Sequence, residues 1–251
     1  MNKRTLFIAI VAATGMARAA EDNTELSRQA TDPTASLMAL NFQGIYVGDF
    51  YGAGIPGQPD DRFTFQFRPV IPFTFLGHPN ILRATVPYQL DGRGDEGCGP
   101  ISLFDLVVFN EKWGRWGIGP VMSFDTTGDA LDEFVIGPAI GGVWQVNKKF
   151  SAGLFTQNVF WRNTAVTQIQ PVIAYQLGDG WSLSAGDLQF TYDWETSRWL
   201  NLPIGFQLGK VVKLGGLPTR FAINPQYNLK NDRGLDEWSL TFTFTALFPT
   251  F

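Results

Sequence analysis

Apolar and polar side chains alternate one by one along most of the chain. Phe63, Phe65 and Phe67 alternate with Thr64, Gln66 and Arg68. Leu188, Phe190, Tyr192 and Trp194 alternate with Asp187, Gln189, Thr191 and Asp193. Phe221, Ile223 and Tyr227 oppose Arg220, Ala222, Asn224, Gln226 and Asn228, and Leu240, Phe242 and Phe244 oppose Ser239, Thr241, Thr243 and Thr245. Successive strand side chains point to opposite faces, so these runs predict strands with one apolar and one polar face. Twelve such runs are expected, at about 38–49, 62–74, 80–90, 101–111, 115–124, 133–146, 149–161, 165–177, 181–194, 199–211, 218–229 and 237–248.

The connections alternate in length. FYGAGIPGQPDD (50–61), DGRGDEGCGP (91–100), DTTGDALD (125–132) and KNDRGLD (230–236) are long and polar, with shorter ones after 161 and 194. The intervening turns are tight: Phe75 to Pro79, Lys112 to Gly114, Asn147-Lys148, Gly178-Asp179-Gly180 and Lys213 to Leu217. Short turns at one end and long loops at the other are the habit of outer-membrane barrels, and an even strand count follows.

A soluble sandwich or lipocalin-like barrel would turn the apolar face inward; a membrane barrel turns it out to lipid. The tryptophans choose. Trp113, Trp116, Trp144 and Trp181 flank short turns, and Trp161, Trp194, Trp199 and Trp238 flank long loops. Four at each rim form the two interfacial aromatic girdles of a bilayer protein. The fold class read here is all-β: a closed antiparallel transmembrane β-barrel of twelve strands, with short periplasmic turns and longer extracellular loops. Prolines inside the runs (Pro69, Pro72, Pro87, Pro120, Pro138, Pro171, Pro203 and Pro225) remove ladder donors, so they are expected at bulges or kinks.

The N-terminus fixes the compartment. Lys3 and Arg4, an apolar run from Leu6 to Met16, and Ala17-Arg18-Ala19 make a secretory signal peptide over 1–20, too short to span a membrane as a helix. A polar periplasmic leader follows over 21–36, with a short helix expected around Thr24 to Ala30; this leader could cap the periplasmic mouth, and the barrel fills 37–251. The localisation expected is the outer membrane of a Gram-negative cell. Cleavage removes Lys3, Arg4 and Arg18 and no acid, leaving 16 basic residues against 23 acidic ones, a net charge of −7. That balance argues against a nucleic-acid partner. The partners expected are the lipid bilayer, lipopolysaccharide, the barrel assembly machinery that reads a terminal aromatic (Phe248 or Phe251), and a small-molecule permeant.

Several segments carry a family resemblance: ASLMALNFQGIYVGDF, RPVIPFTFLGHPNILRATVPYQL, ISLFDLVVF with WGRWGIGPV, IQPVIAYQLGDGWSL, LPIGFQLGKVVKLGGLPTRFAINPQYNL and the closing ALFP. Over about 35–249 the chain resembles the outer-membrane family labelled for the MetA pathway of phenol degradation. The resemblance implies a β-barrel linked to uptake of aromatic or other small organic compounds, and it assigns no functional residue. The sequence departs from the family's pattern at 91–100, a loop expected to be shorter and without Cys98.

Candidate chemistry lies in the lumen. Parity places Arg68, Arg83, Asp105, Asp187, Asp193 and Arg220 inward, either as a field that selects permeants or as a salt-bridge network that braces the barrel. Strands about 4.8 Å apart and tilted about 40° give twelve strands a backbone diameter near 24 Å, leaving a narrow passage or none. His78 is the one histidine and reads as a solvated turn residue, so no Ser-His-Asp set is available. Asp91, Asp95 and Glu96 lack the EF-hand spacing, and no metal or cofactor is expected. The chain reads as a channel or transporter for small, aromatic or hydrophobic solutes, with a closed structural barrel anchoring surface loops as the alternative, and not as an enzyme.

Overall fold

The computed structural model describes residues 23–52, 60–91, 96–126 and 134–249. The signal peptide, residues 92–95 of the acidic 91–100 loop and Phe251 lie outside the described residues.

One antiparallel sheet closes on itself. Its segments are β1 (Met38–Phe50), β2 (Arg62–Phe75), β3 (His78–Asp91), β4 (Gly97–Cys98), β5 (Ile101–Glu111), β6 (Gly114–Phe124), β7 (Phe134–Gln145), β8 (Phe150–Trp161), β9 (Thr164–Gly178), β10 (Trp181–Ser184), β11 (Phe190–Asp193), β12 (Arg198–Asn201), β13 (Pro203–Gly205), β14 (Gln207–Leu214), β15 (Leu217–Asn228) and β16 (Asp236–Phe248). β10 and β11 together make the ninth spanning strand, and β12, β13 and β14 the tenth. β4 is a two-residue flap on β3. First and last strands pair from Met38↔Phe248 to Phe50↔Asp236, so a twelve-stranded barrel is closed without a free edge.

The apolar face is outside. Phe63, Phe65, Ile140, Leu154, Ile173, Phe221 and Phe242 are all exposed in mid-strand, and Phe42 lies among Phe67, Phe65 and Phe244 on the same outer surface. A soluble monomer seldom leaves apolar patches of more than a few hundred Å² in water, so this belt requires lipid. Trp113, Trp144, Trp161, Trp181, Trp194 and Trp238 are exposed at strand ends, while Trp116 stacks on Phe109 and Trp199 packs edge-on against Tyr192.

The prolines follow the irregularities. Pairing between β2 and β3 lapses at Arg68–Pro69, and between β5 and β6 opposite Gly119–Pro120. The β7–β8 ladder ends at Ala139↔Gln157, next to Pro138. Pro171 falls where β9 passes from pairing with β11 to pairing with β10. Pro225 falls between the β14 and β13 registers on β15, Pro203 opens β13, Pro72 lies beyond the last β1 pair, and Pro87 lies between the β5 and β4 pairings of β3. Each lacks an amide hydrogen where the ladder on one side is already absent, so no partner carbonyl is orphaned in a continuous ladder.

Candidate functional site: the lumen and its plug

Residues 23–30 are helical and enter the barrel at the short-turn end. Thr24 Oγ1 accepts from the Gly180 amide at 3.4 Å, and Arg28 donates to Gln145 Oε1 at 2.7 Å. The helix turns out through Asp32, whose Oδ1 accepts from the amide and hydroxyl of Thr34. Its Oδ2 accepts from Arg115 at 2.5 Å and from Gln145 at 3.0 Å. Ala35 and Leu37 then pack with Ala39, Val211 and Leu247. The leader therefore plugs this mouth from within, held by a polar latch on one side and apolar contacts on the other.

Glu25 is outside the strands. Burial pushes its carboxyl up, but hydrogen bonds from Arg28 and Gln29 outweigh this and hold it below the ordinary 4.5.

Beside the plug the lumen is filled by apolar side chains. Ile81, Phe104, Leu106, Val108, Val121, Ala139, Val143, Phe155 and Val172 point inward from β3 to β9 and form one buried cluster. The polar inward face expected of the strands is therefore corrected here: one wall of the inner half is apolar.

Above the plug two cavities meet. The inner chamber holds about 140 Å³ and the outer vestibule about 620 Å³, and both are bounded by Gln43, Arg68, Arg83, Gln170 and Asp187. Those residues form the constriction. Asp187 reaches it because the ninth strand breaks between β10 and β11. Gly186 has φ +65°, and a Cβ there would sit 2.7 Å from Gln207, so glycine alone allows this inward step. Asp187 accepts from Gln43 at 2.7 Å and pairs with Arg68 at 3.1 Å. Arg83 lays its guanidinium 4.1 Å above the Phe104 ring. Arg220 donates to Gln207 at 2.7 Å and covers Gly209 so closely that a Cβ there would lie 2.5 Å from Nη2.

Of six inward residues expected from the sequence, four come together: Arg68, Arg83, Asp187 and Arg220. Two do not. Asp105 alternates with the buried, inward Phe104 and Leu106, so it faces outward. From Leu103 to Val108 both faces of β5 are apolar apart from Asp105, whose charge gives a false parity. Asp193 sits at the rim and caps the turn after β11, accepting from the Thr196 hydroxyl and the Glu195 amide. Gln43 and Gln170 complete the constriction, Gln207 lines the inner chamber, and none of the three is singled out by the sequence; their inward parity is the available signal. His78 is exposed at the start of β3, paired with Phe75 across the turn, and Cys98 is exposed and free. Among the described residues no group of three His, Cys, Asp or Glu could hold a metal.

No protein-family model and no curated protein matches the chain. Solved structures do. An outer-membrane channel from Pseudomonas putida F1 aligns with a TM-score of 0.58 at 11% identity, over 84% of this chain and 94% of that one. The KdgM porin in complex with disordered oligogalacturonate aligns at 0.46 and 10% identity over 85% and 99%. The outer-membrane phospholipase A of Escherichia coli aligns at 0.49 and 13% identity over 86% and 100%. The chain thus shares the twelve-stranded barrel fold of the Pseudomonas putida F1 outer-membrane channel.

Proposed function

We propose that the chain is an integral outer-membrane channel for small organic solutes, aromatic or hydrophobic ones among them, as the resemblance to the MetA-pathway family implies. The short turns and the plug face the periplasm, and the vestibule faces outward. The observation that carries this reading is the pair of cavities that share Arg68, Arg83 and Asp187 in their lining, with Arg220 beside the inner one. A solute that enters by the vestibule leaves when the plug withdraws. The fold is shared with an outer-membrane channel, which supports the same reading. An enzyme reading finds little support, since the one histidine stands exposed at the first residue of β3.

The plug favours one alternative, a closed barrel that anchors surface loops. Planar-bilayer recording separates the two. The mature chain lacking residues 21–36 is expected to conduct several-fold more current than the intact mature chain. A folded variant without current and without solute flux would leave only the closed barrel.

A further inference from the structure

We propose that the inner chamber binds a small organic carboxylate, one whose apolar body is about the size of a single ring. The proposal rests on the channel reading and names the solute class that the passage takes.

The argument starts from charge. Three arginines and two aspartates border the chamber. Asp32, on the plug, is committed to Arg115, and Asp187 is committed to Arg68. Among the described residues no carboxylate is in contact with Arg83 or Arg220. Arg220 is 4% exposed, its one hydrogen bond goes to neutral Gln207, and its Nε is buried without a partner. The Nε of Arg83 is also buried without a partner, and its guanidinium rests on the Phe104 ring. A buried cation is costly unless paired, and these two guanidiniums share only the more distant charge of Asp187, so the chamber favours an anion beside them. The planar guanidinium fork matches a carboxylate, with two parallel N–H···O bonds available.

Shape supplies the rest. Val70, Ile81, Phe104, Val172 and Leu247 form the apolar lining of the same chamber. Its volume is about 140 Å³, and an apolar cavity of about 150 Å³ is known to accept benzene. A bare inorganic anion would satisfy the arginines and leave this lining empty. A neutral ring would fill the lining and leave the arginines unpaired. A ring-sized body bearing a carboxylate satisfies both.

The test uses the full mature chain in lipid nanodiscs, with equilibrium dialysis of benzoate, benzamide and acetate. Benzoate is expected to bind saturably and at least tenfold more tightly than either of the others. Arg83→Gln with Arg220→Gln should bring benzoate to the benzamide level, and Phe104→Ala should bring it toward acetate. The three-ligand comparison needs no variant, so it decides the matter even if the double substitution fails to fold. Benzamide or acetate binding as tightly as benzoate, or no benzoate binding, would overturn the proposal. Proteoliposome uptake distinguishes the two readings. Uptake of benzoate and benzamide at equal rates, with no binding preference, removes the carboxylate site and leaves the channel. Benzoate binding with no uptake of any probe, even after deletion of 21–36, removes the channel and leaves the site.

Discussion

The two halves of the lumen are built by the same strands and filled in opposite ways. The outer half is lined by Thr64, Gln66, Gln157, Gln168, Gln189 and Ser239, and these residues bound an open vestibule. The inner half is packed: an apolar cluster from β3 to β9 occupies one side and the N-terminal segment the other. The same strand, β8, sends Gln157 into the vestibule and Phe155 into the cluster. A barrel wall draws its stability from the hydrogen-bonded ladder and from lipid contact, so it does not require a filled interior. Filling is therefore a separate choice, made here at one end only. On the channel reading proposed above, an open end admits solute and the filled end is the one that must open.

The comparison breaks first at Phe155. This ring is 1% exposed and packs 5.5 Å from Phe104. Phe155→Ala removes a core-type side chain and should cost about 3–5 kcal/mol, measured by urea unfolding in lipid vesicles. Gln189→Ala, in the vestibule, should stay within about 0.5 kcal/mol. Similar costs for the two would mean the halves are not energetically distinct. Next is the latch. Asp32→Ala strands Arg115, and breaking a buried pair costs about 3–5 kcal/mol, so undocking of the plug should rise roughly 100-fold or more. Faster tryptic cleavage after Arg28 in vesicle-inserted protein would report it, and an unchanged rate would mean that the apolar contacts of Ala35 and Leu37 hold the plug alone. A smaller effect is expected where the halves meet. Arg68→Ser with Arg83→Ser removes two positive charges from the constriction, and the reversal potential in a salt gradient should move toward cation selectivity. An unmoved potential would place the narrowest point of the path elsewhere.

The sequence carried the outer half of this picture better than the inner half. Strand boundaries from Met38 to Phe248 follow from strict alternation, because lipid on one side and polar groups on the other impose a period of two. The same parity located Arg68, Arg83 and Arg220. It failed at β5, where Leu103, Phe104, Leu106, Val107 and Val108 are apolar on both faces. A wall between lipid and a dry interior has no alternation to read, which is why the apolar cluster stayed hidden and Asp105 was placed inside. The ninth strand was expected to be continuous. Its break depends on Gly186, whose backbone conformation a pattern of polarity does not encode. The plug was legible as a short helix because its polar composition excluded a strand, but its partners Arg115 and Gln145 come from strands about a hundred residues away and share no local signal with it.

The weakest lever on the contrast between the halves is pH, acting on the plug helix and not on the vestibule. Glu25 is about half exposed and accepts from Arg28 at 2.6 and 2.9 Å and from Gln29 at 2.9 Å, contacts that hold its carboxyl below the ordinary 4.5. A carboxyl with a depressed value in the folded state binds its proton more readily when the helix is undone. Its contribution is therefore fully present above 4.5 and is lost as pH falls through the depressed folded value. Solvent screens the pair, so the effect is small, and Arg28 keeps its bond to Gln145 throughout. Open probability in planar bilayers should accordingly be flat from pH 8 to 5 and rise modestly below 4.5. Glu25→Gln should flatten that rise while leaving the neutral-pH current nearly unchanged. A rise of equal size in the Glu25→Gln protein would assign the acid response to a carboxylate other than Glu25 and leave this helix contact without a part in gating.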